Sequence, residues 1–136
     1  MRISERQVGD AAVLDLAGRI AGRKVDEIGA AVSRHVQAGT RLVVANLSGV
    51  PSVDLAGLGA LVEAQRAARA AGCDLRLAGV NHRIHDLVIL TRLVTVFDTF
   101  DSVDAAAGGA VPSYEGVTAQ NPAMSLGRVE RFLHRA

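Results

Sequence analysis

The side chains best able to do chemistry gather in "SVDLAGLG", residues 52–59. A hydroxyl at Ser52, a carboxylate at Asp54 and two glycines, Gly57 and Gly59, stand in a turn between an apolar run and a helical stripe. Leu55 and Ala56 occupy the first helical positions, where a reactive side chain would be sought, and Leu58 begins the stripe. Asp54 is placed to accept a hydrogen bond from an orphan backbone N–H, a cap worth about 1 kcal/mol. The free N–H groups and positive dipole end of such a helix favour an anion or phosphate. A capped turn with no further role explains the same residues, because every helix needs a start. Ser48 and Ser52 suit a structural role, bonding the turn backbone.

The remaining chemistry-bearing residues form no reactive set. His82 and His85 are three apart with Asp86 beside them, a spacing that puts both imidazoles on one helix face, yet no further ligand can be assigned. They read as a solvated helix start, so no metal is expected. Cys73 follows a glycine stop and reads as a small buried or edge residue. There is no P-loop, dinucleotide glycine fingerprint, nucleophile elbow or HExxH, so neither an enzyme nor a cofactor is expected.

Composition narrows the function classes further. A chain of 136 residues suits one domain with a core that folds without staples. With 49% hydrophobic and 21% charged residues and a net charge of +1, it carries no basic stripe for a phosphate backbone, so no nucleic-acid partner is expected. A single cysteine excludes an intrachain disulfide framework. No apolar run approaches the roughly 20 residues that span a bilayer, and "MRISERQVGD" lacks a signal-peptide core. A cytoplasmic protein without direct membrane insertion is the expectation.

The elements that position the 52–59 turn follow from hydrophobic period. Residues 2–8 and 11–17 alternate around Gly9-Asp10 and predict a hairpin. Val25, Ile28, Val32 and Val36 predict a helix over 23–38, with Asp26 and Glu27 first, Arg34 and His35 last, and Gly39 beyond. "RLVVANL" suits a strand covered on both faces. A second stripe, Leu58, Leu61, Ala64, Ala68 and Ala71, predicts a helix over 56–71 with Gln65 at its border and Gly72 as its stop. A strand at 73–79, a helix through Ile84, Leu87, Val88 and Thr91, a short strand at 94–97 and a short helix at 101–107 complete the run. The order asks for an α/β fold, a mixed sheet of about five strands with about four helices packed against it. Domain boundaries fall at 1–108 for this unit, 109–123 for a Pro-containing linker and 124–136 for an amphipathic helix through Leu126, Val129, Phe132 and Leu133. That helix suits docking on its own domain or on another chain, so a homodimer is possible.

These residues, in this order, resemble the STAS domain of bacterial anti-sigma factor antagonists. "NLSGV" at 46–50 and "DLAGLG" at 54–59 stand where the family has "DLSGV" and "DSSGLG" or "DSTGLG". "GRI" at 18–20, "ARAAGCDLRLAG" at 68–79 and "LTRLVTVFDTFDSVDAA" at 90–106 support the match. The resemblance implies a STAS-like fold and a module that binds an anti-sigma factor, a histidine-kinase-like serine kinase, until that kinase phosphorylates the serine after the motif aspartate.

Here the implied switch position is Leu55, and the next hydroxyl position is Ala56, so phosphorylation at that site is impossible. Asn46 and Ala21 also replace aspartates of the family pattern. The expected function is non-enzymatic regulation of transcription by protein contact through Ser52, Asp54, Leu55, Ala56, Gly57, Leu58 and Gly59, without the phosphoserine switch. The region around Arg19 to Arg23 could add to that surface. The alternative is a STAS adaptor that binds the ATPase of a lipid-transport ABC complex, whose "DTAGL"-like motif "DLAGL" approaches.

Overall fold

The computed structural model describes residues 1–21, 25–92 and 96–108. The expected linker and C-terminal helix, residues 109–136, lie outside the described residues, as do residues 22–24 and 93–95. Among the described residues nine elements follow one another: β1 (Arg2–Val8), β2 (Ala11–Ala17), α1 (Val25–Gln37), β3 (Leu42–Gly49), α2 (Leu55–Ala70), β4 (Asp74–Ala78), α3 (His82–Leu90), β5 (Thr99–Phe100) and α4 (Val103–Gly108). The strands form one sheet in the order β1-β2-β3-β4-β5. β1 pairs with β2 antiparallel across the Gly9-Asp10 turn, where Gly9 takes a φ of +60° that a side chain would resist. The other pairings are parallel, which is why helices must intervene between the strands.

Strand alternation divides the apolar residues between two cores. Leu14, Val43, Ala45, Leu47, Leu75 and Leu77 point to the face where Ile28 and Val32 of α1, Leu58 and Leu61 of α2, and Ile84 and Val88 of α3 close the main core. Val13, Val44, Ala78 and Phe100 point the other way and are closed with Ala106 of α4. Because both faces of β3 are buried, its run had to be almost continuously apolar.

The boundaries depart from expectation where burial and pairing part company. The strand expected at 94–97 is displaced: the fifth strand is Thr99–Phe100, paired with Leu77 and Ala78. Phe97 is fully buried in the main core yet lies in the connection before β5, so its apolar character records packing in the core. The last helix starts at Val103, because the Ser102 hydroxyl accepts the Ala105 N–H at 3.1 Å and acts as its cap. Ala71, expected in the stripe of α2, is exposed and serves as that helix's C-cap.

Candidate functional site

The turn before α2 is held from three sides. Asp54, in an extended conformation (φ −88°, ψ 177°), accepts the Gly57 N–H on Oδ1 at 2.7 Å, while its carbonyl accepts the Leu58 N–H at 2.9 Å. The segment after β2 runs alongside: Gly18 N–H bonds Gly49 O at 2.9 Å, Ile20 N–H bonds Ser52 O at 3.2 Å, and Asp54 N–H bonds Ile20 O at 3.3 Å. Ile20 and Val53 form a parallel bridge. From α3, the Asn81 amide donates to Val50 O at 3.3 Å and Pro51 O at 3.1 Å, while its oxygen caps Ile84 N–H at 2.9 Å. These bonds tie the loop backbone to the segments on both sides of it.

Gly57 and Gly59 have different jobs. A Cβ at Gly57 would lie 2.7 Å from Ile20 O and 2.8 Å from Ile20 Cγ2, so the first turn of α2 abuts the neighbouring segment only because no side chain intervenes. A Cβ at Gly59 would meet nothing within 4 Å.

Exposure then sorts the expected contact residues. Leu55 is 69% exposed, and Ala56 and Gly59 are exposed beside it. Ser52 and Asp54 are half-buried. Gly57 and Leu58 are buried, so they build the scaffold and leave the outward surface narrower than the motif suggests. Arg19 is exposed on the adjoining segment, whereas residues 22–24 fall outside the described residues.

Two features that spacing did not show stabilise this end of the sheet. On the face away from α1 to α3, the Asn46 amide donates to Asp15 Oδ1 at 2.7 Å, and its oxygen accepts the Ser48 N–H at 3.1 Å. Arg6 Nε reaches Asp15 Oδ2 at 2.6 Å. Arg6, followed by the Asn46 amide, holds the Asp15 carboxyl below the usual carboxylate range. An aspartate at 46 would set two carboxylates against each other, so the asparagine suits Asp15. The sequence signal was slight: Asp15 is one polar residue on a strand face shared with Val13.

Gln65, expected at the border of its stripe, is only 1% exposed. Its Nε2 donates to Leu75 O at 2.8 Å and Val96 O at 3.1 Å, and its Oε1 accepts the Leu75 N–H at 2.9 Å. One side chain thus fixes the second half of α2 against β4 and the connection to β5.

The other candidates carry less. An open groove of about 460 Å³ lies between Asn81, His82 and His85 on one side and Thr99, Phe100 and Asp101 on the other. Among the described residues no group of three or more His, Cys, Asp or Glu could hold a metal ion. Cys73 is buried, and burial followed by the Asp74 charge pushes its thiol up, away from the reactive thiolate. No helix among the described residues is long and apolar enough to cross a membrane.

Comparison with known structures agrees with this architecture. A Thermotoga maritima protein described as an anti-sigma factor antagonist superposes with a TM-score of 0.72 at 19% identity, over 79% of this chain and 93% of that one. An anti-sigma factor antagonist from Mycobacterium paratuberculosis gives 0.68 at 17%, over 80% and 92%. The anti-sigma factor antagonist SpoIIAA in its unphosphorylated form gives 0.62 at 16%, over 79% and 96%. At these identities the likeness is one of fold. No curated protein sequence matches the chain. The STAS domain model matches residues 2–106, which takes in both cores and the capped loop, and the chain therefore belongs to the STAS domain family.

Proposed function

We propose that this STAS protein acts by protein contact, without catalysis, and engages a kinase-like anti-sigma factor through Leu55, Ala56, Gly59 and the Ser52–Asp54 turn. The observation that carries the reading is the 69% exposure of Leu55 at the first position of a capped helix on a rigid loop. Burying a leucine side chain is worth about 1.5–3 kcal/mol, enough for one residue to anchor an interface. A hydroxyl there would accept a phosphoryl group bringing about −1.5 to −2 charges, which expels a partner shaped for a neutral surface. Leucine takes no phosphate, so the contact persists or is ended by other means.

The adaptor reading, with an ABC ATPase as partner, draws on "DLAGL" at 54–58 and on the same missing hydroxyl. Capture from the native cell with the tagged full chain, followed by mass spectrometry of bait and partners, separates the two. A kinase-like anti-sigma factor on a bait without phosphate is the expected result. An ABC ATPase, or phosphate on Ser52 or Ser48, overturns it. A Leu55→Ser variant should keep its stability within about 0.5 kcal/mol, because the site is exposed. It should become a phosphate acceptor for the captured kinase, read by intact mass. No phosphorylation by a kinase shown to bind counts against retained recognition.

A further inference from the structure

Among the described residues three large apolar side chains are strongly exposed: Leu55, and the adjacent pair Ile89 (50%) and Leu90 (78%) at the end of α3. The pair stands at the opposite end of the domain from Leu55. α3 starts at the carboxyl edge of the sheet, where Asn81 bonds Val50 and Pro51, and runs back for nine residues, about 13 Å. Its exit leads to Val96–Asp98, which lie beside Leu75 and Leu77 of β4 through the bonds of Gln65 to Val96 O and of Leu77 N–H to Asp98 O.

The main chain leaves the described fold at that same end. α4 follows β5 and lies on the sheet face opposite α3: its Val103, Ala105 and Ala107 pack against the same small cluster as Val8 and Leu42, residues at the amino-terminal edge of the parallel strands, and Ala106 O accepts Arg76 Nη1 at 2.7 Å. Residues 109–123, outside the described residues, connect Gly108 to "MSLGRVERFLHR", whose Leu126, Val129, Phe132 and Leu133 recur at helical spacing. A connection of that length has a root-mean-square span of about 20 Å. A domain of about 100 residues has a radius of gyration of about 13 Å, so its ends stand roughly 30 Å apart. The near end is within ordinary reach, and a short tether supplies an effective concentration in the millimolar range.

We propose that residues 124–135 dock their apolar face on Ile89 and Leu90 of the same chain. The site is separate from the Leu55 surface, and the inference stands whether or not the partner reading holds.

Paired substitutions in the full chain, Leu90→Cys with Phe132→Cys, test it under mild oxidation, because the native Cys73 is buried. An intrachain disulfide by non-reducing gel and peptide mass is expected, forming at least tenfold faster than in the pair Leu55→Cys with Phe132→Cys. Equal rates, no disulfide, or a disulfide joining two chains overturns the proposal, the last by assigning the face to a second copy. Separately, Leu133→Asp is expected to speed hydrogen exchange of the amides of residues 87–90 at least tenfold, and unchanged exchange overturns docking at this face.

Discussion

At the residue scale, two glycines two positions apart show how one motif serves both fold and surface. Gly57→Ala forces a methyl group to within 2.7 Å of Ile20 O and should destabilise by about 1–3 kcal/mol, as overpacking does. Gly59→Ala meets open space and should stabilise by about 0.5–1 kcal/mol through helix propensity. Urea denaturation of both variants checks the pair, and equal effects would refute the assignment. Asn46→Asp places a second carboxylate against Asp15 Oδ1, now 2.7 Å from the Asn46 amide. One of the two would then have a raised folded-state pKa, and the folded protein would bind more protons than the unfolded one. Lowering the pH through that value should therefore stabilise the variant relative to wild type. Its deficit in thermal midpoint is expected to be largest near pH 7 and to shrink toward pH 5.

At the element scale, α2 is positioned by more than its apolar stripe. Gln65→Leu keeps the volume roughly but leaves the Leu75 N–H and the Leu75 and Val96 carbonyls without the bonds Gln65 supplies. With about 1–3 kcal/mol for a buried group left unsatisfied, a loss of at least about 2 kcal/mol is expected. Gln65→Glu retains an acceptor for Leu75 N–H yet removes the donor, so it should also destabilise. Circular dichroism during urea titration measures both, and a loss below about 0.5 kcal/mol for Leu would remove the clamp from the account. Periodicity located α2 to within a residue, because its stripe spans several turns. It could not see the clamp, since Gln65 bonds residues 10 and 31 positions away.

At the scale of the whole molecule, the antiparallel edge is held by charge as well as by its ladder. Glu5 of β1 pairs with Arg34 at 2.6 Å and His35 at 2.9 Å on one face, and Arg6 pairs with Asp15 on the other. The Arg34 bond first, and the His35 bond with it, hold the Glu5 carboxyl low, while Arg6 does the same for Asp15. For carboxyls depressed in the folded state, the unfolded chain binds more protons across the window between the two values. Their stabilisation is complete above the ordinary carboxylate pKa of about 4 and disappears as pH falls through the lower folded values. These pairs are partly exposed, so solvent and salt screen them and each contributes only modestly. Between pH 5 and 3 the urea midpoint should fall, less steeply in Glu5→Gln, and β1 amides should gain exchange before those of β3. A Glu5→Gln profile parallel to wild type would show that the pair contributes nothing.

Several properties were settled by the amino-acid sequence alone: the order of elements, the hairpin at Gly9-Asp10, the capped start of α2 at Asp54, and the lack of a hydroxyl at positions 55 and 56. These depend on residue identity or on neighbours within a few positions, where helical and strand periods and capping chemistry act. Tertiary structure alone decided that Leu55 faces out while Gly57 and Leu58 face in, that Asn46 answers Asp15 from 31 residues away, and that Phe97 packs in the main core just before the fifth strand. The physical reason is register. Which side chains meet across parallel strands depends on how helices of particular length return the chain to the sheet, and a shift of one residue would turn every contact to the other face.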